Sequence, residues 1–177
     1  RWSFALFGQG HVVGIKKSGT DSGMTELHFL DAGTRYQSFS RHVVTALHQT
    51  DGTYRMLMQT LGDLYVIKKA GTASGKTEVH ALTWGSGYQQ FRVHTPTVLP
   101  PTDGSIDFQI QPRSPDPDLY VVSKRTGTGK TRIHVLTASS NYTDYRLRVD
   151  TAVEETDDRF HFLLAPQYNN PSFYAIK

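Results

Sequence analysis

Apolar and polar residues alternate along this chain in short runs, and the runs recur. Tyr54, Met56 and Met58, then Ile106, Phe108 and Ile110, then Phe160, Phe162 and Leu164 each set apolar side chains two residues apart, the period of a strand with one buried face. Trp2, Phe4 and Leu6 follow the same rule 52 residues before the first of these sets. A second kind of run, Val12 to Lys17, Leu64 to Lys69 and Leu119 to Lys124, is apolar on both faces, as expected of an inner strand covered by neighbours. Gly-Thr turns follow, then second strands over 25–30, 77–82 and 131–136. Third strands open at Tyr36, Tyr88 and Tyr142, and fourth strands at Tyr54, Ile106 and Phe160. No stretch keeps a helical period over a useful length, so the predicted class is all-β.

The chain writes one unit three times. Ile15 and Ile67 are 52 residues apart, His80 and His134 54, and self-similarity at such a period marks a repeat architecture. Repeats of four strands are expected over about 11–58, 63–111 and 118–165 within a single domain, 1–177. Each carries a Thr after its second aromatic (Thr45, Thr97, Thr151) and a Thr-Asp turn (Thr50-Asp51, Thr102-Asp103, Thr156-Asp157). The terminal stretches 1–6 and 173–177 match the last strand of one repeat and the first strand of another. Four antiparallel strands per repeat fit a β-propeller blade or a lobe of a β-trefoil. The split terminal repeat and the doubly apolar strands favour a propeller-like array, with the trefoil as the alternative. Three and a half repeats do not close a ring, so either a longer protein or another chain completes it, and the terminal strands are the expected surface for self-association.

A length of 177 residues with 37% hydrophobic and 20% charged content is globular. No apolar run reaches membrane-spanning length, and membrane insertion is not expected. The absence of cysteine removes disulfides, thiolate metal sites and cysteine nucleophiles. Localisation stays open between cytoplasmic and secreted. The net charge of +3 is dispersed: Lys16-Lys17, Lys68-Lys69 and Lys124-Arg125 recur once per repeat. That pattern reads as solubilised strand ends rather than a nucleic-acid stripe.

The signature Ile-Lys-Lys, Gly-Thr-x-Ser-Gly, Thr-Glu-Val-His, Tyr-Gln-x-Phe, complete at residues 67–91, resembles a repeat of fungal and actinomycete proteins that form propeller-like lectins or modules attached to secreted hydrolases. Blade size resembles the tachylectin type of sugar-binding propeller, whose own motifs are not present. The resemblance implies multivalent binding of glycans or cell-surface carbohydrate by a non-enzymatic lectin, or alternatively a structural or targeting module of a larger secreted hydrolase. The third repeat departs from it at Ser123, Arg132 and Asp144.

Candidate site residues recur with the repeat. His28, His80 and His134 read first as hydrogen-bonding struts, then as sugar contacts, and last as metal ligands, since no other ligand type recurs with them at the required geometry. Glu26 and Glu78 share a strand face with their histidines. A catalytic couple belongs in one cleft rather than in copies, so no enzyme is expected, and neither a cofactor nor a bound metal. Tyr36, Tyr88 and Tyr142, beside Arg35, Trp84 and Asn141, suit the face of a pyranose or else the space between sheets. Trp84 is an aromatic without counterpart in the other repeats and is expected to stand free of the core. Asn141-Tyr142-Thr143 is a glycosylation sequon. Gly127 to Thr131 lacks the spacing of a phosphate loop and precedes no helix. Proline-rich connectors are expected over 112–117 and 166–171.

Overall fold

The computed structural model describes residues 1–7, 11–112, 114–165 and 172–177. The connector at 166–171 lies outside the described residues, as does Arg113 in the other connector. The described residues are all-β, in four antiparallel sheets of four, four, four and two strands. The first sheet runs β1 (Trp2–Phe7), β2 (His11–Lys16), β3 (Met24–Leu30) and β4 (Phe39–His48). The second runs β5 (Tyr54–Met58), β6 (Leu64–Lys68), β7 (Glu78–Leu82) and β8 (Phe91–Pro96). The third holds β9 (Ile106–Ile110), β10 (Leu119–Ser123), β11 (Lys130–Leu136) and β12 (Tyr145–Glu154), and the fourth pairs β13 (His161–Ala165) with β14 (Ser172–Ile176). Each sheet keeps chain order, as hairpin-linked strands do.

The sheets are framed one strand earlier than the sequence repeats. What reads as the fourth strand of a repeat pairs with the first strand of the next, so Phe4 faces Gly14 and Met56 faces Val66. The strands apolar on both faces are therefore second in each four-stranded sheet, with a paired strand on either edge. Leu64, Tyr65, Val66 and Ile67 of β6 are fully buried, as such a position requires. The two terminal strands are not orphans: β1 pairs with β2, and β14 with β13.

Contacts divide the chain into two compact units, 1–68 with 79–94 and 69–78 with 95–177. In the first, Val13, Ile15, Leu27 and Phe29 of the first sheet form one core cluster with Met56, Leu64, Val66, Leu82 and Tyr88 of the second. Phe29 stacks on Tyr88 at 6.3 Å, and Ala46 N–H donates to Tyr88 O at 2.9 Å. In the second unit Phe108, Leu119, Val121, Leu136 and Phe162 are buried. Val98 N–H donates to Tyr142 O at 3.1 Å.

The recurring polar residues close the ends of the sheets. Thr45 Oγ1 donates to Thr25 O, Thr97 Oγ1 to Thr77 O and Thr151 Oγ1 to Thr131 O, at 2.8, 2.9 and 2.9 Å. Asp51, Asp103 and Asp157 each accept from the backbone N–H two residues on, an Asx turn that starts the next strand. The recurring lysines are not all solvated strand ends. Lys17 and Lys124 are buried, with Nζ 2.9 Å from Tyr54 O and 2.7 Å from Asp158 Oδ1. Burying an ammonium requires such partners, so these two positions are structural. No helix among the described residues is long and apolar enough to cross a membrane.

Candidate functional site

The expected site residues fall into two groups that occupy different parts of each sheet. The 3₁₀ turns between the third and fourth strands, Ala32–Thr34, Trp84–Ser86 and Ala138–Ser140, place all three loop residues: Trp84 opens the second turn, while Arg35 and Asn141 cap the ends of the first and third. The tyrosines follow with φ of 63° at Tyr36, Tyr88 and Tyr142, a left-handed conformation that costs a non-glycine residue energy. Tyr88 and Tyr142 are buried and donate to Gly62 O and Pro117 O at 2.8 and 3.0 Å. They are core residues with a satisfied hydroxyl, not stacking platforms, whereas Tyr36 is exposed. Trp84 is 36% exposed, yet one side of its ring is in contact with the protein. Arg41 lies over its ring at 4.6 Å, and Phe29 and Tyr88 meet it edge-on at 5.7 and 5.8 Å, so its indole belongs to the packing between two sheets.

The histidines sit on the third strands. His28 faces Gly14 on one side and His42 on the other; His134 likewise faces Val121 and Arg148. The sequence reading missed these fourth-strand partners for a definite reason. Leu30 pairs with Phe39, but a bulge then shifts the register by one, so that Phe29 meets Arg41 and His28 meets His42. Without the bulge Arg41 would stand opposite His28. The same shift in the third sheet sets Arg148, not Leu147, against His134. The available signal was the fixed interval of 14 residues from His28 to His42, His80 to His94 and His134 to Arg148.

In the first sheet this row becomes a compact polar cluster. Glu26 Oε2 lies 3.4 Å from His28 Nε2 and 3.3 Å from His42 Nε2, while Ser22 Oγ donates to Glu26 Oε1 at 2.7 Å. The Ser22 hydrogen bond, aided by His42, holds the Glu26 carboxyl below its usual range. Burial, and then His42, push the His28 imidazole down. Trp2 and Phe39 flank the His28 ring at 5.0 and 5.3 Å. The expectation that no further ligand type accompanies the histidines fails here, because Glu26, His28 and His42 bring their donor atoms within 4.8 Å of one another.

In the third sheet the same row opens onto a cleft of about 520 Å³ lined by His134, Tyr145, Arg148, Asp103, Ser105 and the Leu99–Pro101 segment, among others. His134 and Tyr145 rings lie 5.4 Å apart, and the Arg148 guanidinium lies 5.9 Å from the Tyr145 ring. Asp103 accepts from Ser105 N–H and Oγ at 2.8 and 2.6 Å, and these bonds lower its pKa. His134 is buried, its pKa lowered by burial first and then by Arg148 and Arg132. Its Nδ1 is buried and makes no hydrogen bond. The cleft takes in one of the expected residues, His134, and none of the loop residues. No known protein family, curated protein or solved structure matches the chain.

Proposed function

We propose that this is a non-enzymatic, carbohydrate-binding protein, with the cleft beside His134 as a binding site. The observation that carries the reading is a cleft lined by His134, Tyr145, Arg148 and Asp103, which sets an exposed tyrosine ring beside a guanidinium and a carboxylate. Tyr145 offers a ring to an apolar sugar face, and Arg148 and Asp103 offer one donor group and one acceptor group. The volume falls in the range of about 300–1,000 Å³ usual for small-ligand clefts.

A glycan array followed by calorimetric titration tests this. Tyr145→Ala and Arg148→Ala should each weaken binding of the best array ligand about tenfold, the loss of roughly 1.4 kcal/mol expected for one such contact. Array silence would exclude the lectin and leave a structural or targeting module. Unchanged binding by both variants would move the site elsewhere on the chain.

We further propose that the sheets form a propeller-like array whose two ends associate with second copies of the chain, which multiplies weak sites into avid binding. At one repeat position Met56, Phe108 and Phe162 are 7, 0 and 3% exposed, but Phe4 of the first sheet is 69% exposed. At a position on the opposite face Val13, Tyr65 and Tyr120 are 0, 0 and 7% exposed, but Tyr174 of the fourth sheet is 50% exposed. The first sheet thus leaves open the face that later sheets bury, and the fourth sheet leaves open the reverse face. Each is the kind of surface that covers the other kind in the interior of the first unit, so either open face fits the opposite end of a second copy, or further repeats of a longer protein.

A further inference from the structure

We propose that Glu26, His28 and His42 form a binding site for a divalent cation of the zinc class, a role independent of glycan binding. Two imidazoles and a carboxylate are the borderline donor set that such ions take. With metal–ligand distances of about 2.0–2.1 Å, a tetrahedral site has edges of about 3.3–3.4 Å between ligand atoms. Glu26 Oε2 lies 3.4 and 3.3 Å from His28 Nε2 and His42 Nε2. The donor atoms are therefore already at coordinating separations, and the third separation is within 4.8 Å.

Two further observations point the same way. His28 Nε2 is buried, and its 3.4 Å approach to Glu26 Oε2 does not close into an aligned hydrogen bond, so its one protein neighbour is the carboxylate that would share the ion. Ser22 Oγ, at 2.7 Å, holds the other carboxylate oxygen of Glu26, the kind of outer hydrogen bond that orients a ligating carboxylate. Three protein ligands leave a fourth position for water, and His42 is exposed to solvent, which provides a way in.

The repeats supply an internal comparison. The second repeat writes the same positions as Ser74, Glu78, His80 and His94, with Ser74 Oγ donating to Glu78 Oε1 at 2.7 Å and the His80 and His94 rings stacked at 4.2 Å. The third repeat has Arg132, His134 and Arg148 instead, and Arg132 is bound to Asp150. Arginines in place of the carboxylate and the second imidazole leave a single ligand there. Metal capacity therefore belongs to the row of the first repeat and the sugar cleft to that of the third.

Competition between the EDTA-stripped full chain and a chromophoric chelator for Zn²⁺ tests the site, with Co²⁺ as a spectroscopic reporter. The parent should withhold zinc from the chelator and give the intense visible absorption of tetrahedral cobalt. His42→Gln, at an exposed position, should lose one zinc equivalent while its melting temperature in EDTA stays at the parent value. Ser22→Ala should retain the equivalent but bind it about tenfold more weakly, as expected for loss of an outer-shell contact. His94→Gln should leave the first-sheet equivalent intact. Failure of the parent to compete would overturn the proposal. So would full zinc binding by both His42→Gln and Glu26→Gln, which would place the metal on other surface histidines.

Discussion

Trp84 and His134 show how a residue's role follows from what touches it rather than from its type. An unmatched loop tryptophan reads as a ligand platform, yet Arg41, Phe29 and Tyr88 pack against it and leave it partly exposed. Trp84→Ala should cost about 2 kcal/mol by chemical denaturation, less than the 3–5 of a fully buried ring because the indole keeps some exposure, and should leave glycan affinity unchanged. His134, read as a strut, lines the cleft. Its pKa is depressed below 6.5, so the unfolded chain takes up this proton at a higher pH than the folded one. Its contribution to stability is complete above about pH 6.5 and is lost as the pH falls towards the lower folded value. Denaturation midpoints across that window should decline with acid in the parent, and less steeply in His134→Gln. The histidines were legible in the sequence as a periodic set. Their neighbours were not, because burial and ring contacts depend on sheets that the chain reaches only after long intervals.

At the scale of the strand, alternation was the most readable property. The face assigned to Phe108 holds, since its side chain is fully buried, and Phe108→Ala should lower stability by about 3–5 kcal/mol in calorimetry. Bulges were unreadable. Their one-residue shift sends Arg41 to Trp84 and His42 to Glu26, and nothing in strand propensity marks where pairing slips. Deletion of Ser40, which lies within the slip, should exchange these two faces. Zinc competition by the deletion variant should then fail even though Glu26, His28 and His42 all remain in the chain. The sheet frame was hidden for a related reason: a repeat found by self-similarity carries no marker of which strand begins a sheet.

At the scale of the whole chain, sedimentation should detect association that grows with protein concentration. Phe4→Asp and Tyr174→Asp should each reduce it by placing a charge on one open face; association unchanged by both would remove the end-to-end reading. The two open faces are unlike one another, and this gives any assembly a polarity. A contact between unlike patches repeats itself, closing into a ring if the rotation allows and otherwise extending without limit. A chain carrying Phe4→Asp keeps only one end, and a chain carrying Tyr174→Asp keeps only the other. Each should behave as a terminator when added to the parent, and a mixture of the two should stop at the heterodimer. The size of the assembly is thus open to titration by a capping variant, without any change to the clefts of the third sheet that it displays.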